Sequence, residues 1–190
     1  MKNLGKTQYC LGLEIEQCSD GILVHQSNYT QKVLHHFNED KVKPLSTLMV
    51  VQIQNAKQDP FCLNEDQEEI LEPKVPYLSK IGAALLYLAQ CTRHDISFAV
   101  NFLARYSNAP TRRHWNGVKD ILRDLKGTTN LGLFYTRESS SVAAPYDSQI
   151  DSHLVGYADV GYLSDPRRAR SQMGYVFTIR DATISWRSIK

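Results

Sequence analysis

Hydrophobic and polar positions alternate at the start of the chain. Tyr9, Leu11, Leu13 and Ile15 are interleaved with Cys10, Gly12, Glu14 and Glu16, and that period of two predicts a half-buried strand. Cys18-Ser19-Asp20-Gly21 supplies a turn, Ile22-Leu23-Val24 returns, and the pair reads as a hairpin. Ser27 is placed to cap a short helix with Tyr29, Val33, Leu34 and Phe37 on its buried side. From Asn38 to Pro76 the pattern dissolves into a long connector with Pro44, Pro60, Pro73, Pro76 and an acidic run from Glu65 to Glu69.

Helical spacing then takes over. Ser79 to Gln90 carries Ile81, Leu85 and Leu88 on one stripe. Thr92 stands three residues before Asp95, a Thr-x-x-Asp cap, ahead of Ile96, Ala99, Val100 and Leu103 on one face and Phe98 and Phe102 on another. A third helix starts after Pro110-Thr111, carries Trp115, Val118, Ile121, Leu122 and Leu125, and is expected to end with Gly127 at its C′ position. These three helices can share one core. Leu131 to Tyr135 reads as a short strand, and the serine-rich stretch 138–152 as a linker and domain boundary. His153 to Ala158, Gly174 to Ile179 and Ala182 to Trp186 read as three further strands, with Val155, Tyr175, Phe177, Ile184 and Trp186 expected to lie open on their surface.

Composition narrows the class. Hydrophobic residues make up 42% and charged residues 22%, values of an ordinary globular domain rather than of disorder. The net charge is only +2, so nucleic-acid contact would have to come from local patches. Cys10, Cys18, Cys62 and Cys91 lack C-x-x-C spacing and read as reduced thiols. The first residues lack the apolar core of a secretory signal, and no apolar run approaches a membrane span, which predicts an intracellular protein of cytoplasm or nucleus. No G-x-S-x-G elbow, Walker loop or G-x-G-x-x-G occurs, and the adjacent His35-His36 face different ways on their helix.

Several motifs, in one order, resemble the reverse transcriptase and ribonuclease H region of the Pol polyprotein of copia-type LTR retrotransposons. Met1-Lys2-Asn3-Leu4-Gly5 with Tyr9-Cys10-Leu11-Gly12-Leu13-Glu14-Ile15 resembles the segment after the palm active-site hairpin, and Lys43-Pro44-Leu45-Ser46-Thr47 its connector. Tyr87-Leu88-Ala89, Cys91-Thr92-Arg93 and Asp95-Ile96 resemble its helical signature, followed by His114-Trp115 and Leu125-Lys126-Gly127-Thr128. Gly156-Tyr157-Ala158-Asp159, Arg170-Ser171-Gln172, Gly174-Tyr175-Val176-Phe177 and Ile184-Ser185-Trp186 resemble the opening strands of the ribonuclease H domain. The chain departs from the family at Leu48, His94, Asp120, Asp124 and Met173; acidic residues at 120 and 124 are unfavourable on a phosphate-facing helix and hint at a drifting copy.

The resemblance implies an α+β fold: a β-hairpin and three-helix thumb/connection group, then an incomplete ribonuclease H-like sheet. It divides the chain into the end of the palm with the thumb/connection region (1–137), the linker (138–152) and the truncated start of the ribonuclease H-like domain (153–190). The parent enzyme polymerises DNA on RNA and cleaves the RNA strand, using Mg²⁺ on a template-primer or RNA/DNA hybrid; no small-molecule substrate is implied. Two-metal chemistry needs several carboxylates around the reacting phosphate. The sequence holds no Asp-Asp dipeptide for the polymerase centre. By resemblance Asp159 is the first ribonuclease H carboxylate and metal ligand, without its partners, whereas Asp165 and Asp181 read as turn residues. Arg112 and Arg113, and Arg167, Arg168 and Arg170, are candidate phosphate contacts or solvated loop charges, two readings left open. The expected function is thus a polyprotein fragment that is inactive alone. The alternatives are a retained nucleic-acid-binding or dimerisation module, or a decayed reading frame.

Overall fold

The computed structural model describes residues 6–39, 41–45, 70–71, 77, 80–137, 154–165, 170–180 and 182–189, with the side chains of 80, 82, 83, 161–165 and 170–172 outside that description. It mixes helices with two antiparallel sheets. The first sheet has the order β1 (Tyr9–Cys10), β2 (Leu13–Gln17), β3 (Gly21–His25), β4 (Gly132–Thr136). The single strand expected from Tyr9 to Ile15 is two strands. Leu11 and Gly12 both take positive φ, 50° and 82°, and fold the chain back in a two-residue loop that pairs Cys10 with Leu13. Alternation survives such a turn, so periodicity alone does not reveal it. The hairpin of β2 and β3 forms as expected, and β4 joins it from far along the chain, Gly21 opposite Thr136 and His25 opposite Gly132.

Helix α1 (Ser27–His36) begins with Gln26, not Ser27, at its N-cap. The Ser27 hydroxyl donates instead to the Thr129 carbonyl, 3.1 Å away, which ties the helix start to the approach to β4. Val33 and Leu34 are buried, and Tyr29 and Phe37 pack against the core from its margin.

The helical group comprises a π-helical stretch Lys80–Leu85 running into α2 (Leu86–Cys91), a 3₁₀ turn His94–Ile96 running into α3 (Ser97–Ala104), and α4 (Arg112–Gly127). Its three apolar stripes meet as expected: Leu85, Leu88, Ile96, Val100, Leu103, Val118, Ile121, Leu122 and Leu125 are completely buried. Trp115 is buried too, with the Lys119 ammonium over its ring.

The caps differ from expectation in two places. Thr92 donates to Gln26 Oε1 (2.9 Å) rather than closing a box with Asp95, because Asp95 is held by Arg93. Gly127 is the last helical residue, and Thr128 ends α4 with negative φ. At the other end of α4 the capping box is complete, with His114 in the place usually held by Glu or Gln: the Thr111 N–H donates to its Nδ1 at 3.0 Å.

Parts of the connector are pinned. The Leu45 N–H donates to the Arg123 carbonyl, Arg123 and Lys126 donate to the Lys43 and Val42 carbonyls, and the Leu71 N–H donates to Pro110. The acidic run from Glu65 to Glu69 and the linker lie outside the described residues.

The second sheet has the order β5 (Leu154–Asp165), β6 (Arg170–Ile179), β7 (Ala182–Ile189). All three strands are longer than the sequence pattern predicts. Their register sorts residues onto two faces, since Tyr157 lies opposite Val176 and Val176 opposite Trp186, while Asp159 lies opposite Gly174 and Gly174 opposite Ser188. Leu154, Ala158 and Val160 share the other face with Met173, Tyr175 and Phe177. Of the side chains expected to lie open, Val155, Phe177 and Ile184 do so, whereas Tyr175 and Trp186 are half-buried.

The first of these faces turns toward the helical group. The Trp186 indole N–H donates to the Ala89 carbonyl at 2.7 Å, and its ring meets His94 edge-on at 5.7 Å. The Tyr135 hydroxyl of β4 donates to the Thr183 carbonyl of β7.

Candidate functional site

Where the second sheet meets the helices a cleft of about 430 Å³ opens. One wall is His94, from the 3₁₀ turn, with Ser97 and Phe98 from the start of α3. The other is Tyr157, Asp159, Val176, Trp186 and Ser188 on the sheet. The sequence places these walls together only in part: Tyr157 and Asp159, two apart on one strand, share a face by pleating. Their opposition to Phe98 is a tertiary fact, and the only local sign of it is a tryptophan, Trp186, whose indole N–H needs a partner when buried.

Asp159, the expected metal ligand, sits in the body of β5 rather than in a turn, and its carboxylate is exposed to the cleft. It is the one carboxylate among the described residues lining that space. No group of three or more His, Cys, Asp or Glu side chains that could hold a metal ion occurs among the described residues. A lone carboxylate does not fit a two-magnesium centre, for which several oxygen donors must converge.

The arginine candidates separate. Arg112 is exposed at the first position of α4, but Arg113 is buried, so a phosphate approaching this end of the helix meets one guanidinium and not two. Arg167 and Arg168 lie outside the described residues. Arg170 opens β6 opposite Asp165, which places both in strands beside the β5–β6 connection.

Two polar clusters that sequence reasoning missed are structural in geometry. Arg93 is buried and chelates Asp95 through Nε and Nη2 (2.9 and 2.7 Å), reaches buried Asp124 at 3.4 Å, and donates to the Thr128 hydroxyl and carbonyl. Asp124 therefore faces inward, and the expectation of an acidic residue spoiling a phosphate-facing surface does not hold there. Burial raises its carboxyl above the ordinary value, Arg93 pulls it back down, and Asp95 adds to the rise. Asp120 pairs with Arg123 at 3.4 Å on the same helix.

His25 lies 2.7 Å from the Ser27 hydroxyl and 3.3 Å from the Glu16 carboxylate, a Ser-His-Glu constellation by distance alone. The Ser27 hydroxyl donates to the Thr129 carbonyl, and the Ser27 backbone N–H donates to the imidazole Nδ1 at 3.4 Å, so the serine is committed to bonds that hold the start of the helix. That arrangement ties three segments together and does not activate a nucleophile.

Among the described residues Cys10, Cys18 and Cys91 are free thiols, and no helix is long and apolar enough to cross a membrane.

Comparison with known proteins gives no matching family model and no matching solved structure. Whole-chain similarity is nevertheless clear. The chain is 35% identical over 190 residues to the retrovirus-related Pol polyprotein from transposon TNT 1-94 of Nicotiana tabacum, an alignment covering 99% of this chain and 13% of that one. It is 32% identical to an uncharacterized mitochondrial protein of Arabidopsis thaliana, covering 98% of this chain and 68% of the relative. It is also 37% identical over 116 residues to secreted RxLR effector protein 161 of Plasmopara viticola, covering 61% of this chain and 73% of that one. The chain thus spans a small part of the transposon polyproteins and about two thirds of the shorter relatives. Over nearly its whole length, then, the chain is similar to one segment of the retrovirus-related Pol polyproteins of transposons.

Proposed function

We propose that this chain corresponds to the junction of reverse transcriptase and ribonuclease H in a copia-type Pol polyprotein. Residues 1–137 are the end of the palm with the thumb/connection helices, and 153–190 carry the opening strands of a ribonuclease H-like sheet. The polyprotein's activity in this reading is RNA-directed DNA polymerisation with cleavage of the RNA strand. The chain's own part is to position a template-primer or hybrid, with no catalysis by itself.

The observation that carries the reading is the setting of Asp159. It lies within the first of three sequential antiparallel strands, opposite Gly174, on the face turned to the helical group. A carboxylate fixed on a strand, beside a cleft, is where a first metal ligand belongs. In the polyprotein Asp159 would be one of the residues holding Mg²⁺, an ion that would supply charge stabilisation at the scissile phosphate.

Two assays test it. The chain alone should neither extend a primer on an RNA template nor cut an RNA/DNA hybrid with Mg²⁺ present. Joined to the polyprotein sequence that follows it, the chain should cut the hybrid, and Asp159→Asn should abolish cutting. Equal cleavage with asparagine at 159 would overturn the assignment.

A further inference from the structure

We infer that the cleft between α3 and the second sheet is a binding site for a single unpaired nucleobase, favouring a purine that carries an exocyclic amino group. Its walls are aromatic on both sides: Phe98 from the helix, Tyr157 and Trp186 from the sheet, with the His94 ring beside Trp186. Trp186 is anchored by its bond to Ala89. Phe98, stacked on Phe102 at 6.1 Å, and Tyr157 are 43% and 63% exposed, large rings open to water and lining one space. Exposed aromatic faces around a space of about 430 Å³ suit a flat ring system, because stacking recovers apolar area without requiring sequence-specific contacts.

The polar groups choose the ligand. Asp159 is the one carboxylate in the lining and only accepts, so it favours a ring edge with an exocyclic amino donor, as adenine or guanine presents, over thymine, whose single N3–H is flanked by two carbonyls. Ser188, on the same face as Asp159 by register, adds a hydroxyl to the lining. A duplex base is shielded by its partner and neighbours, so the occupant is a base of a single strand.

This inference goes beyond the junction reading and requires neither metal nor cleavage. It is therefore tested with the full chain in EDTA, by anisotropy of labelled tetranucleotides: oligo(dA), oligo(dT) and an abasic strand of equal charge. Oligo(dA) should bind about tenfold tighter than oligo(dT), and the abasic strand should bind weakest. Tyr157→Ala and Phe98→Ala, on opposite walls and both at exposed positions, should each weaken oligo(dA) binding about tenfold. Asp159→Asn should narrow the dA-over-dT preference while leaving much of the affinity. Equal binding of abasic and dA strands, or unchanged affinity in both aromatic variants, would overturn the site whatever the cleavage assays give.

Discussion

His114 shows how much one side chain decides. It is fully buried, lies flat against Tyr106 at 3.9 Å between ring centroids, and accepts the Thr111 N–H that opens α4. Burial, with the Arg113 charge adding to it, lowers its pKa to about 4. Since the unfolded value is near 6.5, the unfolded chain binds more protons between those limits. The contribution is complete above about pH 6.5 and is lost as the pH falls to about 4, at most roughly 3 kcal/mol. Urea midpoints measured from pH 7 to 4 should fall accordingly, and His114→Gln, which keeps an acceptor for the cap, should flatten that slope. An unchanged slope would show that other groups set the acid limb. Asp120 and Asp124, raised by burial, act in the opposite sense, because acidification neutralises them in the folded state first. Arg93 is the other decisive residue. Arg93→Ala would strand Asp124, buried, without its counter-charge and should cost about 3–5 kcal/mol. Asp95→Ala, at a half-exposed partner, should cost much less by the same denaturation measurement.

At the scale of elements, the readable parts of the sequence were those whose signal is local. The stripes of Ile81 to Leu88, Ile96 to Leu103 and Trp115 to Leu125 predict their burial because a helix places residues three and four apart on one side. What escaped was of two kinds. Some side chains had a competing partner: Thr92 prefers Gln26, Ser27 prefers Thr129, and Asp124 prefers Arg93. The others depended on backbone handedness or distant pairing. The turn at Leu11-Gly12 leaves alternation intact, and the joining of β4 to β3 has no local cue. The turn is testable, because at φ +82° an alanine is strained, and its Cβ would stand 2.7 Å from the Tyr87 hydroxyl. Gly12→Ala should lower stability by about 1 kcal/mol or more, while Gly12→Asn, which tolerates this conformation better, should lose less. Equal thermal midpoints for the two variants would mean that backbone handedness is not what limits this site.

The whole molecule depends on how the helical group holds its two sheets. The second sheet contacts the rest through Trp186, His94 and the Tyr135–Thr183 bond, and it keeps Leu154, Val160, Met173 and Phe177 exposed. Amide exchange should therefore be slowest in α2, α3 and α4 and fastest in edge strand β5. Equal protection in β5 and α4 would contradict the packing described. Trp186→Phe retains the ring but leaves the Ala89 carbonyl without its donor, and should separate sheet from helices as two thermal transitions where the parent shows one. The first sheet raises a different matter, one of time. Because β3 finds β4 only after everything between Gly21 and Thr136 has been made, the amino-terminal hairpin leaves the ribosome with one edge unfilled. At 5–20 residues per second that interval is on the order of ten seconds, long on the scale of hairpin formation in microseconds. During synthesis, then, the nascent chain carries an open β-edge whose rightful neighbour does not yet exist, and a chaperone or another nascent chain has that long to reach it first.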